Sequence, residues 1–279
     1  MNKTIIFTAL ALLAFAGNSI LCRLALQETN IDPASFTSLR LISGAVTLWL
    51  LLLIKQGHPK TKGNFISALA LFAYAAGFSF AYVSLDTGIG ALILFGTVQV
   101  TMIAVGLYRG EKLYLLQIIG GLLAFFGLIA LMSPGIHAPS LSGASLMALA
   151  GVSWGIYSLR SGTGNSPLQT TAGNFILAAP LAVLLSLFVM NGVSIDREGF
   201  VYALLSGAVT SGAGYAVWYA VLPYLKSSQA AVLQLTVPVL AAAGGVLLLQ
   251  EPFTLRFVLS SIVILGGVAL FISQKYKHA

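Results

Sequence analysis

Residues 237–254, VPVLAAAGGVLLLQEPFT, run without a charge until Glu251, and runs of this kind follow one another along the chain. A segment of ~20 mostly apolar residues is long enough to cross the hydrocarbon core of a bilayer as a helix. Lipid offers the backbone no hydrogen bonds, so an open strand edge cannot be satisfied there and a spanning segment of this type is helical. Only 8% of the 279 residues are charged, whereas a soluble domain carries about 25%. With mean hydropathy at +0.96, almost no sequence is left for a soluble domain.

Ten spans are predicted, at 4–25, 33–54, 64–84, 88–108, 113–132, 141–160, 167–190, 199–222, 227–250 and 255–274. Asp32-Pro33 and Ser166-Pro167 put a proline in a first helical turn, where its missing N–H is not needed. Ser133-Pro134-Gly135 and Gly162-Thr163-Gly164 break the pattern between spans. The N-terminal MNKTIIFTALALLAFAG continues apolar to Cys22 without a clear cleavage site, so it reads as an uncleaved first span.

Charge sets the expected orientation. With a cytoplasmic N-terminus, Lys3, Lys55, Lys60, Lys62, Arg109, Lys112, Arg160, Lys226, Lys275 and Lys277 fall on the cytoplasmic side, against Arg23, Arg197 and Arg256 outside. This bias predicts an inner-membrane, multi-pass protein with both termini cytoplasmic. The basic residues are dispersed at span ends, which excludes a nucleic-acid patch despite the net charge of +7. One cysteine allows no intrachain disulfide and no cysteine metal cluster, and no cofactor or metal is expected.

The chain repeats weakly. Residues 86–133 lie on 226–273 without a gap, bringing Glu111 onto Glu251 and Gly127 onto Gly267. A shift of 134 residues brings Pro33 onto Pro167. Few positions are identical, but the span boundaries coincide. Five spans per half is an odd number, so residues 136–279 enter the membrane opposite to residues 1–135. The expected fold is all-α: two inverted five-helix repeats around a central cavity, an architecture of secondary transporters. Glu111 and Glu251 each close the fourth span of a repeat, where a carboxylate suits the N-terminus of the next helix.

The run Lys226-Ser227-Ser228-Gln229-Ala230-Ala231, with Pro238, Glu251-Pro252 and Gly266-Gly267, resembles the C-terminal signature of EamA-type carriers of the drug/metabolite transporter superfamily. Pro33, Phe36 and Arg40, then Gly110-Glu111 and Gly120-Gly121, resemble the family pattern of the first half. The resemblance covers essentially the whole chain and implies ten helices in two inverted repeats and export of small metabolites, often amino acids or their relatives. The halves depart from each other at Val98 against Pro238 and at Arg40 against Asn174.

Polar side chains within a span face a cavity or a partner, because lipid penalises them. Tyr74, Ser79, Tyr82, Gln99, Thr101, Trp154, Tyr157, Tyr215, Trp218, Tyr219 and Gln234 form the richest group. Tyr215, Trp218 and Tyr219 share one helix face by their spacing. Such rings either grip an apolar or zwitterionic metabolite or pack and anchor at the interfaces. Gln99, Gln234 and Asn18 either line the cavity or bond between helices. Arg40, about two turns inside its span, either attracts a substrate carboxylate or snorkels and holds Glu28, Asp32 or a carbonyl. Arg23 is expected to snorkel.

The expected function is an alternating-access carrier, with a small-molecule substrate, the lipid bilayer as its surroundings and no enzymatic activity. With no Asp or Glu at mid-membrane, and His58, His137 and His278 in loops or the tail, facilitated diffusion or exchange is expected rather than proton coupling. A channel and a membrane-embedded enzyme are the rivals. The complete pair of repeats is consistent with a functional monomer.

Overall fold

The computed structural model describes residues 2–57, 60–108, 110, 114–132, 138–161, 166–189, 193–221, 224, 233–234 and 236–273. The helices are α1 (Asn2–Glu28), α2 (Pro33–Gln56), α3 (Phe65–Tyr82), α4 (Thr87–Tyr108), α5 (Leu115–Met132), α6 (Leu141–Ser161) and α7 (Pro167–Phe188). They continue with α8 (Arg197–Leu205), a π-helical segment (Ser206–Ala213), α9 (Gly214–Val221), α10 (Thr236–Leu249) and α11 (Leu255–Ser273). No strand occurs among the described residues.

The protein is a multi-pass membrane protein. Six helical stretches, including the continuous Arg197–Val221, are long and apolar enough to cross a bilayer, and three apolar helices are shorter. Ile5, Trp49, Phe126, Leu247 and Ile262 stand exposed around the bundle. On a soluble protein so much exposed apolar surface would drive aggregation; here it is the lipid contact.

Caps fix the helix starts. Pro33 opens α2, and the Asp32 carboxylate accepts from the N–H groups of Ala34 (3.0 Å) and Ser35 (2.8 Å). Asn64 caps α3 through the Ser67 N–H at 3.2 Å, and Asp196 caps α8 through the Gly199 N–H at 3.1 Å. Burial would raise the Asp196 carboxyl, but the Asn30 and Gly199 N–H groups outweigh that and hold it below its ordinary value. The second oxygen of Asp32 accepts from the Ser194 N–H at 3.1 Å, which ties α2 to the loop before α8. Asp32→Ala should therefore cost about 1 kcal/mol, the usual loss for a cap. A thermal melt of detergent-purified protein checks this; an unchanged midpoint would show that the cap is redundant.

Packing joins α2 to α7, α3 to α6, α4 to α6 and α10, α5 to α11, and α1 to α10 and to the α8–π–α9 stretch. The α5–α11 pair is in backbone contact: a Cβ on Gly120 would lie 2.7 Å from the Phe271 nitrogen, and one on Gly267 2.6 Å from the Gly120 carbonyl oxygen. Gly266 faces open space, and Gly121 meets only the edge of the Phe271 ring.

Two sequence expectations are corrected. Residues 199–222 are not one regular α-helix, since the chain widens to a π-helix at Ser206–Ala213. Arg23 does not snorkel: its Nη1 donates to the Tyr82 carbonyl at 2.8 Å and its Nε to Glu251 at 3.4 Å. Arg109, Glu111, Lys112, Ser133-Pro134-Gly135, Gly162-Thr163-Gly164, Lys226 to Ala231, Lys275, Lys277, His58, His137 and His278 lie outside the described residues.

Candidate functional site

At the centre of the bundle a cavity is bounded by Phe15, Asn18 and Ser19 of α1, Tyr74 and Phe78 of α3, and Leu94 and Phe95 of α4. Trp154 of α6, Tyr215 of α9 and Gln234, just before α10, complete it. Its free space is ≈ 20 Å³, room for about one water. A metabolite can enter only if helices separate. A larger cleft of ≈ 520 Å³ lies between α10 and α11, but its walls are apolar apart from Ser261, so it offers almost no chemistry for recognition.

Aromatic rings form a continuous wall. Trp154 touches Tyr74 (4.8 Å between centroids), Tyr215 (5.2 Å) and Tyr157 (5.3 Å). Tyr215 continues to Phe15 at 5.7 Å, and Phe15 to Trp218 at 5.7 Å. In the other direction Tyr74 leads through Phe78 to Tyr82. These separations and tilts are those of favourable ring pairs.

Behind the wall lies a buried polar network. Asn18 accepts from Ser206 at 2.7 Å and Thr210 at 3.2 Å, and its amide donates to the Tyr74 hydroxyl at a long 3.5 Å. Arg40 Nη2 donates to the same hydroxyl at 2.9 Å, and Arg40 Nε donates to Ser211 at 3.1 Å. The guanidinium lies over the Tyr74 and Phe78 rings at 5.1 and 4.9 Å. Ser206, Thr210 and Ser211 all come from the π segment. A π turn rotates successive side chains differently from an α turn and is frequent at functional sites. Here it aims three hydroxyls inward from one short stretch.

Of the residues singled out in the sequence, Asn18, Tyr74, Trp154, Tyr215 and Gln234 meet at the cavity. Arg40, Tyr157 and Trp218 are buried one layer back. Tyr82 donates to the Thr87 carbonyl at 3.2 Å, at one end of the bundle. Ser79 and Thr101 bond carbonyls of their own helices. Gln99 is buried on α4, and Tyr219 is half-buried against the core. Arg40 holds neither Glu28 nor Asp32. Sequence reasoning passed over Phe15 and Phe78, which look like any apolar residue of a span, and the hydroxyls of the π segment, whose signal was the Ser/Thr/Gly run SGAVTSGAG at 206–214.

Glu251 is also corrected. It does not cap the helix that follows it. Both its oxygens lie 2.8 Å from the Thr87 N–H, and one accepts from the Thr87 hydroxyl at 2.9 Å. It therefore caps α4, 164 residues away in sequence. Arg23 joins it there, 3.6 Å from Asp86. Burial raises the Glu251 carboxyl above its ordinary value, partly offset by the Thr87 bonds. Among the described residues no cluster of His, Cys, Asp or Glu could hold a metal ion.

Comparison with known proteins gives a consistent picture. The model of the EamA-like transporter family matches residues 2–133 and again 141–273. An uncharacterized Pseudomonas aeruginosa protein is 51% identical over 280 residues, spanning 100% of this chain and 97% of that one. A probable amino-acid metabolite efflux pump of Escherichia coli is 22% identical, covering 96% of this chain and 94% of its own. One solved protein structure superposes with a TM-score of 0.68 at 16% identity over 96% of both chains, a likeness of fold alone.

Proposed function

The chain belongs to the EamA-like transporter family, and from that premise we propose that it is an alternating-access carrier. It exports or exchanges small metabolites, amino acids or related compounds, across the cytoplasmic membrane as a monomer with both termini cytoplasmic. The observation that carries this reading is the central cavity. It draws walls from residues on both sides of the chain midpoint, mixes ring faces with polar tips, and is closed to anything larger than water. A site of that kind works only if it is exposed in turn to each side, and its closure disfavours an open channel.

The pairing of helices supports two inverted repeats, residues 1–135 and 136–279. The contact of α3 with α6 has its counterpart in α1 with the α8–π–α9 stretch, and α4 with α6 in α10 with α1. α2 with the π segment answers α7 with α3, while α2–α7, α4–α10 and α5–α11 join equivalent helices. At one end the Asp32 N–H donates to the Ser194 carbonyl; at the other the Lys62 N–H donates to that of Gln169. Swapping the halves maps the helix pairs onto one another and brings the two loop contacts to corresponding places. Among the described residues around the cavity there is no carboxylate or histidine, which favours exchange or facilitated diffusion over proton coupling.

Counterflow in proteoliposomes tests the proposal. Vesicles loaded with an unlabelled amino-acid pool should take up labelled members saturably. Trp154→Ala should lower that exchange roughly ten-fold, the effect of losing about 1.4 kcal/mol of ring contact. Trp218→Ala, one layer back, should lower it less. Non-saturable flux would point to a channel, and conversion of the solute to an enzyme.

A further inference from the structure

Arg40 is a full positive charge at 1% exposure, and its Nη1 has no hydrogen-bond partner. Among the described residues no carboxylate forms an ion pair with Arg40, whereas Arg23 pairs with Asp86 and Glu251. Burying an ion without a counter-charge is strongly unfavourable. The two bonds to Ser211 and Tyr74 and the two ring faces offset part of that cost, but all of these groups are neutral.

The surroundings sharpen the point. The Tyr74 hydroxyl accepts from both Arg40 and Asn18. A hydroxyl has two acceptor sites and one proton. Its proton is thus left for the cavity or for the Tyr215 hydroxyl beside it. Arg40 Nη1 is thus a buried donor with no acceptor, on a guanidinium bonded to Tyr74, whose ring lines the cavity. Among the described residues that line the cavity there is no carboxylate that could receive an ammonium, and one guanidinium alone is a poor match for a doubly charged phosphate.

We propose that the substrate is an organic carboxylate with an apolar or aromatic body, and that its carboxylate, not an amine, is the charge the site reads, through Arg40 Nη1. The proposal rests on the carrier reading above. When the helices part, the carboxylate takes the unpartnered guanidinium edge as a charge-assisted bond, and the Trp154, Tyr215 and Phe15 rings take the body. An amino acid is accepted for its carboxylate and its side chain.

The test compares three solutes of one body in counterflow with the full chain in proteoliposomes: 3-phenylpropionate, phenylalanine and phenylalaninamide. The two carboxylates should exchange, with phenylpropionate at least as fast as phenylalanine, and the amide should be at least ten-fold slower. Arg40→Gln should abolish the acid-over-amide preference, and Arg40→Lys, which keeps the charge, should retain part of it. Tyr74→Phe should reduce the preference with Arg40 in place, which covers the case of an Arg40 variant that does not fold. Wild-type exchange of the amide as fast as the acids, or an unchanged preference in Arg40→Gln, would overturn the inference. Saturable exchange of only neutral or cationic solutes would overturn it while leaving the carrier intact. Absence of saturable exchange for any solute would overturn both.

Discussion

Gly207→Val is expected to prevent the bundle from assembling. A Cβ at this position would overlap the Ser43 hydroxyl and the Arg40 carbonyl oxygen, with the Arg40 carbonyl carbon at 2.8 Å. A rotamer change could move the Ser43 hydroxyl, but the Arg40 carbonyl is backbone and no rotamer change moves it away. Gly44 faces the same seam, where a Cβ would sit 3.1 Å from the Gly207 carbonyl, and Gly212 packs on Thr47. So α2 and the π segment pack closely over almost two turns, with their backbones in contact around Gly207. In lipid, helix association depends on such close packing rather than on a hydrophobic driving force. Overfilling a packed core ordinarily costs about 1–3 kcal/mol. Forcing two backbones apart should reach the upper end, about 3 kcal/mol or more. The same displacement would pull Ser211 from Arg40 and Ser206 from Asn18, so a surviving fraction should also lose exchange. Gel filtration and thermal unfolding in detergent, with Ala208→Val as control, check this. A monodisperse, stable Gly207→Val protein would mean that the α2–π seam yields.

Much of this arrangement was legible because it is local or chemical. Asp32-Pro33 announces the start of α2 by its own geometry, and apolar length announces the spans. Tyr74, Trp154 and Tyr215 were readable as cavity candidates because a polar-tipped ring within a span needs a reason to be there. What could not be read depends on partners distant in sequence. Phe15 and Phe78 acquire significance only when three-dimensional packing puts them beside Tyr215 and Arg40. The π segment was hidden because Ser, Gly and Thr within a span suit a regular helix as well as a widened one. Arg40 was recognised as unusual, but its partners, Tyr74 and Ser211, come from α3 and the π segment. Glu251 was recognised as a cap, yet the helix it caps lies in the other half.

The two halves are unequal where it matters. Asn174 occupies in α7 the position that Arg40 occupies in α2. Its Oδ1 accepts from the Asn64 N–H at 2.9 Å, holding a loop instead of standing behind the cavity. Positive charge is thus delivered from one half only. In the carrier proposed above, near-equivalent repeats allow rocking between states of similar energy, and a charge on one wall only avoids doubling the desolvation cost.

Glu251→Ala is expected to destabilise the fold by about 2 kcal/mol and to loosen the end of the bundle where α4 begins. The variant strips the Thr87 N–H and hydroxyl of their acceptor and leaves Arg23 with Asp86 alone. An unsatisfied, partly buried donor costs about 1–3 kcal/mol, and a broken ion pair adds a contribution that partial exposure reduces. Glu251→Gln should cost less, because the amide oxygen can still accept from Thr87. The pH dependence separates the two roles. Burial holds the folded-state carboxyl above its ordinary value of 4.5, with the Thr87 bonds only partly opposing it. The folded state therefore binds the proton more tightly than the unfolded state. The stability this contributes is fully present below pH 4.5, declines as pH rises through the raised value, and is lost above it. Wild-type thermal midpoints should accordingly fall across that window and then level off, while Glu251→Gln, which has no proton to lose, should lack the step. A midpoint that instead rises over the same window would show that Arg23 and Thr87 favour the ionised carboxylate more strongly than burial penalises it. The α4 cap would then be held by the ionised carboxylate.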